Sequence, residues 1–332
     1  MVPVVLDQDT LGAPPLTGEA GSGYNVIKWV AQELGWEIAF DDEAASKIAI
    51  RSNPAKGPGR YYRFRDDPAA HGADARRIAV ESFSDMSDID IGTDGYPDQD
   101  QYWYKSVSLD ATPREWMVIG TDHHLWFFAQ PTGHADRMYR VFYAGDYVSY
   151  QVNDVSPAII LSSPITSTSS TQAWGGVSHI AFSETSTLQT SDVRTLFEQA
   201  LASNYLNDQI GVDAHPVTQS PNVSADRAAP GSRGQNPDPI TEAINVSRIE
   251  IAEASAGKAR RGQLVGILNP LADLRVGSQT DYETGDLIDG ISNGRDAVKV
   301  KFIATNGSFD NESNSNHHGA VLVDIESDWD NW

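Results

Sequence analysis

Cysteine is absent from this chain of 332 residues. The chain therefore has no disulfide framework, no thiolate nucleophile and no site in which cysteine holds zinc or an iron–sulfur cluster. Long hydrophobic runs are also absent, because no window approaches the roughly 20 apolar residues that a membrane span needs. The first seven residues, MVPVVLD, lack the basic segment and apolar core of a signal peptide. We expect a protein made in the cytosol, without membrane insertion.

Basic residues are scarce. The chain has 24 Lys and Arg against 46 Asp and Glu, which gives a formal net charge of −22. A surface of this sign repels phosphates, so we expect no sequence-specific binding of nucleic acid. Acidity of this kind either keeps a protein soluble or lines a channel through which DNA passes without adhering.

Catalytic motifs are missing as well. The chain has many serines and eight histidines, but no Gly-x-Ser-x-Gly elbow, no His-Glu-x-x-His helix and no Walker A loop. Paired carboxylates are uninformative, because among 46 acids some pair always has the separation that glycoside hydrolysis uses. The sequence predicts a protein that is not an enzyme and carries no cofactor.

The acidic run at 85–100 is the one segment that resembles a metal loop. Its candidate calcium ligands are Asp88, Asp90 and Asp94. The run departs from a calcium loop, because glycine stands at the fifth position, threonine at the sixth and glutamine at the twelfth. A solvated turn rich in aspartate is the preferred interpretation, and no metal is predicted.

Two pairs of adjacent histidines, at 123–124 and 317–318, are the other candidate ligands. Neighbouring side chains on a strand point to opposite faces, so neither pair is expected to chelate one ion. We expect these histidines in loops or at the surface.

Hydrophobic periodicity predicts a mainly β fold. Apolar residues recur at helical spacing only over 22–34 and 191–204, with Ser22 as cap of the first helix and Gly35 as its stop. Alternating segments predict strands, at 36–40, 47–51, 61–65, 77–83, 115–120, 124–129, 139–143, 147–152, 240–253, 263–268, 298–304 and 320–325. The connection at 120–123 is short enough to be the turn of a β-hairpin. The expected architecture is a β-sandwich or barrel-like fold with two short helices and long loops.

A change in composition divides the chain. Residues 213–239 are rich in Pro, Asn, Ser, Gly and Ala and have almost no apolar periodicity, which is typical of an exposed arm. We therefore predict a mainly β domain over 1–207, an arm over 208–240, and a C-terminal β region over 241–332 that can pack on the first domain.

Several segments, in order, resemble a family of structural proteins of tailed-bacteriophage virions. The segments are GAPPLTGEAGS at 12–22, YYRFRDD at 61–67, MSDIDIGTD at 86–94, YWYKS at 102–106, WMVIG at 116–120, RGQLVGILNP at 261–270 and AVLVDIESDW at 320–329. The order of the segments is more specific than any one of them. The 213–239 loop departs from the family's pattern.

The resemblance implies a part of a virion and brings no catalytic residues. The tail or baseplate is the first expectation for its place, and a capsid-decorating or neck position is the second. The implied partners are other virion proteins and copies of the chain in a cyclic homo-oligomer, formed in the virion after synthesis in the host cytoplasm. Candidate assembly contacts, chosen from the arm and from a tail expected to be exposed, are Pro230, Pro237, Pro239, Trp329 and Trp332.

Two other functions stay open. The aromatic runs at 102–104 and 126–128 can form a sugar platform, which would suit a receptor- or polysaccharide-binding module on the virion surface. A depolymerase or other hydrolase is the enzymatic alternative, although no nucleophile or metal motif favours it.

Overall fold

The fold is mainly β, as the sequence predicts. The computed structural model describes residues 1–66, 76–93, 102–106, 108–130, 139–150, 158–162, 216–219, 246–253, 260–270, 284–306 and 319–332. The helix predicted over 22–34 is present as α1, Ser22–Leu34. The helix predicted over 191–204 lies outside the described residues.

The described strands pair antiparallel throughout. Their bounds are β1 Val4–Asp7, β2 Glu37–Asp42, β3 Lys47–Arg51, β4 Tyr61–Arg65, β5 Arg77–Phe83, β6 Asp85–Asp88, β7 Ile91–Thr93, β8 Tyr102–Tyr104, β9 Trp116–Gly120, β10 His124–Ala129, β11 Arg140–Asp146, β12 Val148–Ser149, β13 Ala158–Ser162, β14 Pro216–Gln219, β15 Val246–Glu253, β16 Arg260–Pro270, β17 Leu287–Ser292, β18 Ala297–Asn306 and β19 Gly319–Asp324. Each predicted strand overlaps one of these elements, and the hairpin predicted at 120–123 joins β9 to β10.

A central sheet in the order β1-β9-β10-β11-β13 separates two hydrophobic cores. Side chains alternate between the faces of a strand, so on β10 Trp126 and Phe128 enter one core and Leu125 and Phe127 enter the other. Every residue of β10 is buried. This two-sided burial explains why the strand reads as an almost unbroken apolar run.

The first outer sheet, in the order β2-β3-β4-β5-β8, packs with helix α1 against one face of the central sheet. Aromatic rings fill the space between the two sheets. Trp103 meets Phe127 edge to face with ring centroids 4.9 Å apart, and Phe64 meets Phe142 in the same way at 5.4 Å. Such contacts add to the stabilisation that burial of the rings already gives.

The second outer sheet, in the order β14-β15-β16-β19-β18-β17, covers the opposite face. The Trp126 indole of the central sheet donates a hydrogen bond of 2.8 Å to the carbonyl of Val265 in β16. Strand β12 pairs with β16 as well. The regions predicted as 1–207 and 241–332 therefore share one hydrophobic core. Strand β14 lies within the arm predicted over 208–240, so that segment is not wholly irregular.

The start of helix α1 differs from the prediction. Gly21, with a left-handed φ of 79°, is the N-cap, and the Ser22 hydroxyl donates to the carbonyls of Thr17 and Glu19 instead of capping the helix. Gly35 ends the helix in the left-handed conformation, as predicted, with a φ of 78°.

The two tail tryptophans are buried, which corrects the expectation that they are exposed contact residues. Trp329 is 1% exposed, and its indole donates to the Asp324 carbonyl at 3.1 Å. Gly266, with a φ of +74°, lies directly beneath the ring, where an added Cβ would stand 2.1 Å from it. Trp332 is 4% exposed and lies under the Arg248 guanidinium. These rings serve the chain's own core.

Replacing Trp329 with alanine should lower the free energy of unfolding by about 3–5 kcal/mol, because it leaves a large cavity in the core shared by two sheets. Urea denaturation followed by circular dichroism measures this loss. The control is Leu109→Ala in an exposed loop, which should change stability by less than about 0.5 kcal/mol. Equal effects of the two substitutions would contradict the assignment.

Candidate functional site

Three of the segments that carry the family resemblance meet at the N-terminus of helix α1. The segment at 12–22 leads into the helix, Asp66 follows β4, and Lys105 follows β8. Backbone bonds hold these ends in place, since the Asp66 amide bonds to the Ser46 carbonyl and the Lys105 amide to the Arg76 carbonyl. Residues that are far apart in the sequence therefore form one polar site, which we call the helix-cap site (Ser22, Gly23, Asp66 and Lys105).

The helix-cap site is built on an ion pair. The Lys105 ammonium lies 2.6 and 2.7 Å from the two carboxylate oxygens of Asp66, and both side chains are 0% exposed. Asp66 also accepts hydrogen bonds from the backbone amides of Gly23 at 2.8 Å and Tyr24 at 3.3 Å. A carboxylate from another strand thus supplies the cap that Ser22 does not.

Two opposing effects act on the charges of Asp66 and Lys105: burial disfavours the charged forms, and the ion pair favours them. Burial raises the pKa of Asp66 to about 6, although Lys105 and the helix amides act in the opposite direction. Burial also lowers the pKa of Lys105, against the effect of Asp66. Lys105 spreads its charge further by donating to the Ser22 hydroxyl at 3.0 Å and to the Glu19 carbonyl. The positive end of the helix dipole also favours the carboxylate.

Glycines allow the loop at 12–22 and the first turn of α1 to approach their neighbours. A Cβ on Gly18 would stand 1.8 Å from the Ser108 carbonyl oxygen, and a Cβ on Gly23 would stand 2.3 Å from the Ile78 side chain. Arg114 holds the opposing loop by donating to the hydroxyl of Ser106 at 3.0 Å. These requirements explain the glycine pattern without a phosphate ligand.

The helix-cap site positions a helix and presents no reactive group to a solute. Its two charged side chains have no exposed surface, and a general base or nucleophile must reach the group on which it acts. Its amides, which at other helix termini bind anions, already bond to Asp66. The site is therefore a structural element of the chain.

The described part of the acidic run, residues 85–93, forms the hairpin β6–β7. Asp90 pairs with Lys47 at 2.8 Å and with Arg63 at 3.5 Å, which fixes the hairpin to the outer face of the first outer sheet. Gly92 lies against the Phe83 ring, where an added Cβ would stand 2.3 Å away. Asp88 is exposed, and Asp94 lies outside the described residues. The described residues contain no group of three or more Asp, Glu or His that could hold a metal ion.

The histidine pair at 123–124 is buried, which corrects the expectation of a surface position; His123 lies in the turn before β10, so the alternative of a loop position is right for it. The two rings lie against each other with centroids 4.0 Å apart, because the pair occupies the turn that leads into β10. The Nδ1 atom of His123 lies 2.7 Å from Asp122. Burial drives the pKa of His124 well below its usual value, so this ring is neutral. The pair at 317–318 lies outside the described residues.

The aromatic runs supply core residues. Trp126, Phe127 and Phe128 fill the two faces of the central sheet, and Trp103 is buried between sheets. None of these four rings is free to form a sugar platform. The observation that favoured a polysaccharide-binding module is thereby lost for these residues.

Three exposed apolar side chains lie in or next to the edge strand β1 of the central sheet. Among the described strands β1 pairs with β9 alone, and Met1, Val2 and Val4 are 42%, 53% and 43% exposed. Sequence reasoning missed this strand, although its run of valines is typical of one. The prolines predicted as assembly contacts, Pro230, Pro237 and Pro239, lie outside the described residues, so their role stays a prediction.

No protein-family model and no curated protein matches this chain. Within the described ranges, α1 and every other helical segment fall short of the length and apolarity that a membrane-crossing helix requires.

The Asp66–Lys105 pair should be far more sensitive to loss of one partner than an exposed pair. Lys105→Met leaves an uncompensated buried carboxylate and should lower the free energy of unfolding by about 3–5 kcal/mol. Adding Asp66→Asn to it removes that charge and should restore part of the loss. Urea denaturation of the two single variants and the double variant gives the coupling energy.

The matched control is Lys47→Met, which breaks the more exposed pair with Asp90 and should cost less than about 1 kcal/mol. A Lys105→Met variant as stable as the Lys47→Met variant would show that the buried pair does not hold the helix.

Proposed function

We propose that this protein is a structural component of a tailed-phage virion, positioned in the tail or baseplate, that works through symmetric contacts and not through catalysis. The supporting observation is that the segments that resemble the phage family supply internal contacts of the fold. Asp66, Lys105, Gly266 and Trp329 all belong to these segments, and each of them makes an internal packing or pairing contact. Segments that preserve a scaffold suit a protein whose shape is its function.

The central sheet offers a surface for contacts between copies. An edge strand presents unpaired backbone groups to another chain; Val4 of β1 is exposed at that edge, as is Val2, which precedes the strand. Strand pairing between copies would extend the sheet around a ring. The net charge of −22 opposes such contacts at low ionic strength, so salt should favour them.

The position in the particle has two further candidates. A capsid-decorating or neck position would use the same scaffold and edge, and a receptor-binding position would require an exposed ligand surface in another part of the chain. The arm at 208–240 remains our second proposed contact element, with its prolines Pro230, Pro237 and Pro239.

Purified phage particles should contain the protein at a fixed copy number. Quantitative mass spectrometry of particles measures that number, and gold-labelled antibody viewed by electron microscopy should mark the tail or baseplate. Label at the neck or capsid surface would favour the alternative positions. Absence of the protein from purified particles would refute the proposal.

The Val4→Lys substitution should weaken self-association through β1, because a charge on an edge strand opposes pairing with another strand. Light scattering after size exclusion, at low and high salt, measures the oligomeric state. The control is Leu109→Lys, which adds the same charge at an exposed loop residue and should leave the oligomer intact. An oligomer unaffected by Val4→Lys would exclude this edge as the contact.

A further inference from the structure

Asp146 places a buried carboxyl at the corner where the three sheets meet. It is the last residue of β11 in the central sheet, and β12 joins the second outer sheet two residues later. The turn at 53–57, between β3 and β4 of the first outer sheet, closes over the side chain. Gly57 lies so close that an added Cβ would stand 1.6 Å from the Oδ2 atom.

One oxygen of the Asp146 carboxyl, Oδ1, lacks a polar partner in the described part of the chain. The residue is 7% exposed, and its Oδ1 atom has neither solvent contact nor a hydrogen bond. Its backbone is satisfied, because the amide bonds to the His123 carbonyl at 3.3 Å and the carbonyl accepts from the Tyr143 hydroxyl. A buried carboxylate without donors is strongly disfavoured relative to its neutral form.

The charged groups around this corner do not neutralise the carboxyl. Arg60 is the cation that acts on Asp146, and its Nε donates to the Ser82 hydroxyl at 2.9 Å; within the described residues the Oδ1 atom of Asp146 accepts no hydrogen bond. Lys56, in the same turn, pairs with Asp122 at 3.2 Å and with Asp330 at 3.2 Å.

Three other titratable neighbours, Tyr62, Tyr143 and His124, are neutral at physiological pH. Burial raises the pKa values of Tyr62 and Tyr143 and lowers that of His124. Strand β13, which pairs with β11 and places Ala158 opposite Asp146, has the sequence AIILS and therefore no ionisable residue. Consistent with this setting, burial raises the pKa of Asp146 to about 8, with Arg60 acting against the rise.

We propose that Asp146 is a proton-operated latch, in which the neutral carboxyl lets the 53–57 turn close over the corner and ionisation opens that turn to admit water. Pro54 and Ala55 are exposed, and the turn closes on itself through the amides of Lys56 and Gly57, which bond to the Asn53 carbonyl at 3.1 and 3.2 Å.

The direction of the pH dependence follows from linkage. In the open state the carboxyl is solvated and has an ordinary pKa of about 3.9, whereas in the closed state the pKa is about 8. The open state therefore releases its proton first, and the opening equilibrium rises about tenfold per pH unit between about pH 4 and pH 8. Above pH 8 both states are ionised and the equilibrium levels off. Acid keeps the latch closed.

Amide hydrogen exchange tests the latch in the full chain. Protection factors for Lys56 and Gly57, corrected for intrinsic exchange, should fall about tenfold per pH unit from pH 5.5 to about 8 and then become constant. In Asp146→Asn, which keeps the size of the side chain and removes its charge, they should be independent of pH. A slope caused by the nearby histidines would persist in this variant and would overturn the proposal.

Two further measurements guard against a folding defect. The Asp289→Asn variant removes a carboxyl that is 78% exposed on β17 and should keep the wild-type slope. The carboxyl carbon-13 resonance of Asp146 in the unaltered protein should titrate near pH 8 while the turn is closed. Titration at an ordinary aspartate pKa would overturn the proposal without any substitution.

Discussion

Burial of the central sheet on both faces is the constraint on which the rest of the molecule depends. Strand β10 sends alternate side chains into two separate cores, so neither outer sheet can be removed without exposing aromatic surface. The outer sheets depend on the central sheet in turn, because among the described residues the central sheet is what buries their inner faces. Stability is therefore distributed across layers that pack only together.

Polar groups inside such a stack must be satisfied locally, and the fold meets this requirement in two ways. At the start of α1, Asp66 is matched by Lys105 and by backbone amides, so the charged forms persist despite burial. At the three-sheet corner, the Oδ1 atom of Asp146 has no matched donor, and burial raises the pKa of this carboxyl to about 8. The same residue type thus holds a helix rigidly in one place and makes a junction responsive in another.

Periodicity in the sequence predicted the strands and α1 well, because each reports the local exposure of its own residues. The helix-cap site was invisible, since Asp66 and Lys105 are 39 residues apart and nothing in their neighbourhoods signals the pairing. Trp329 was misjudged for a related reason. Its burial depends on Gly266, a distant residue that yields space for the ring. The histidine pair was misplaced because a turn between two buried strands was taken for a surface loop.

The order of the sheets along the chain also governs how the protein is made. During synthesis, the first outer sheet and α1 can cover one face of β10 early, but the strands that cover its other face come from residues 246–324. Trp126 and Phe128 therefore stay uncovered by the second outer sheet while the ribosome adds more than a hundred residues. Nascent chains with bare aromatic surface are prone to aggregate, so rapid elongation, or a chaperone at that stage, would favour the final fold.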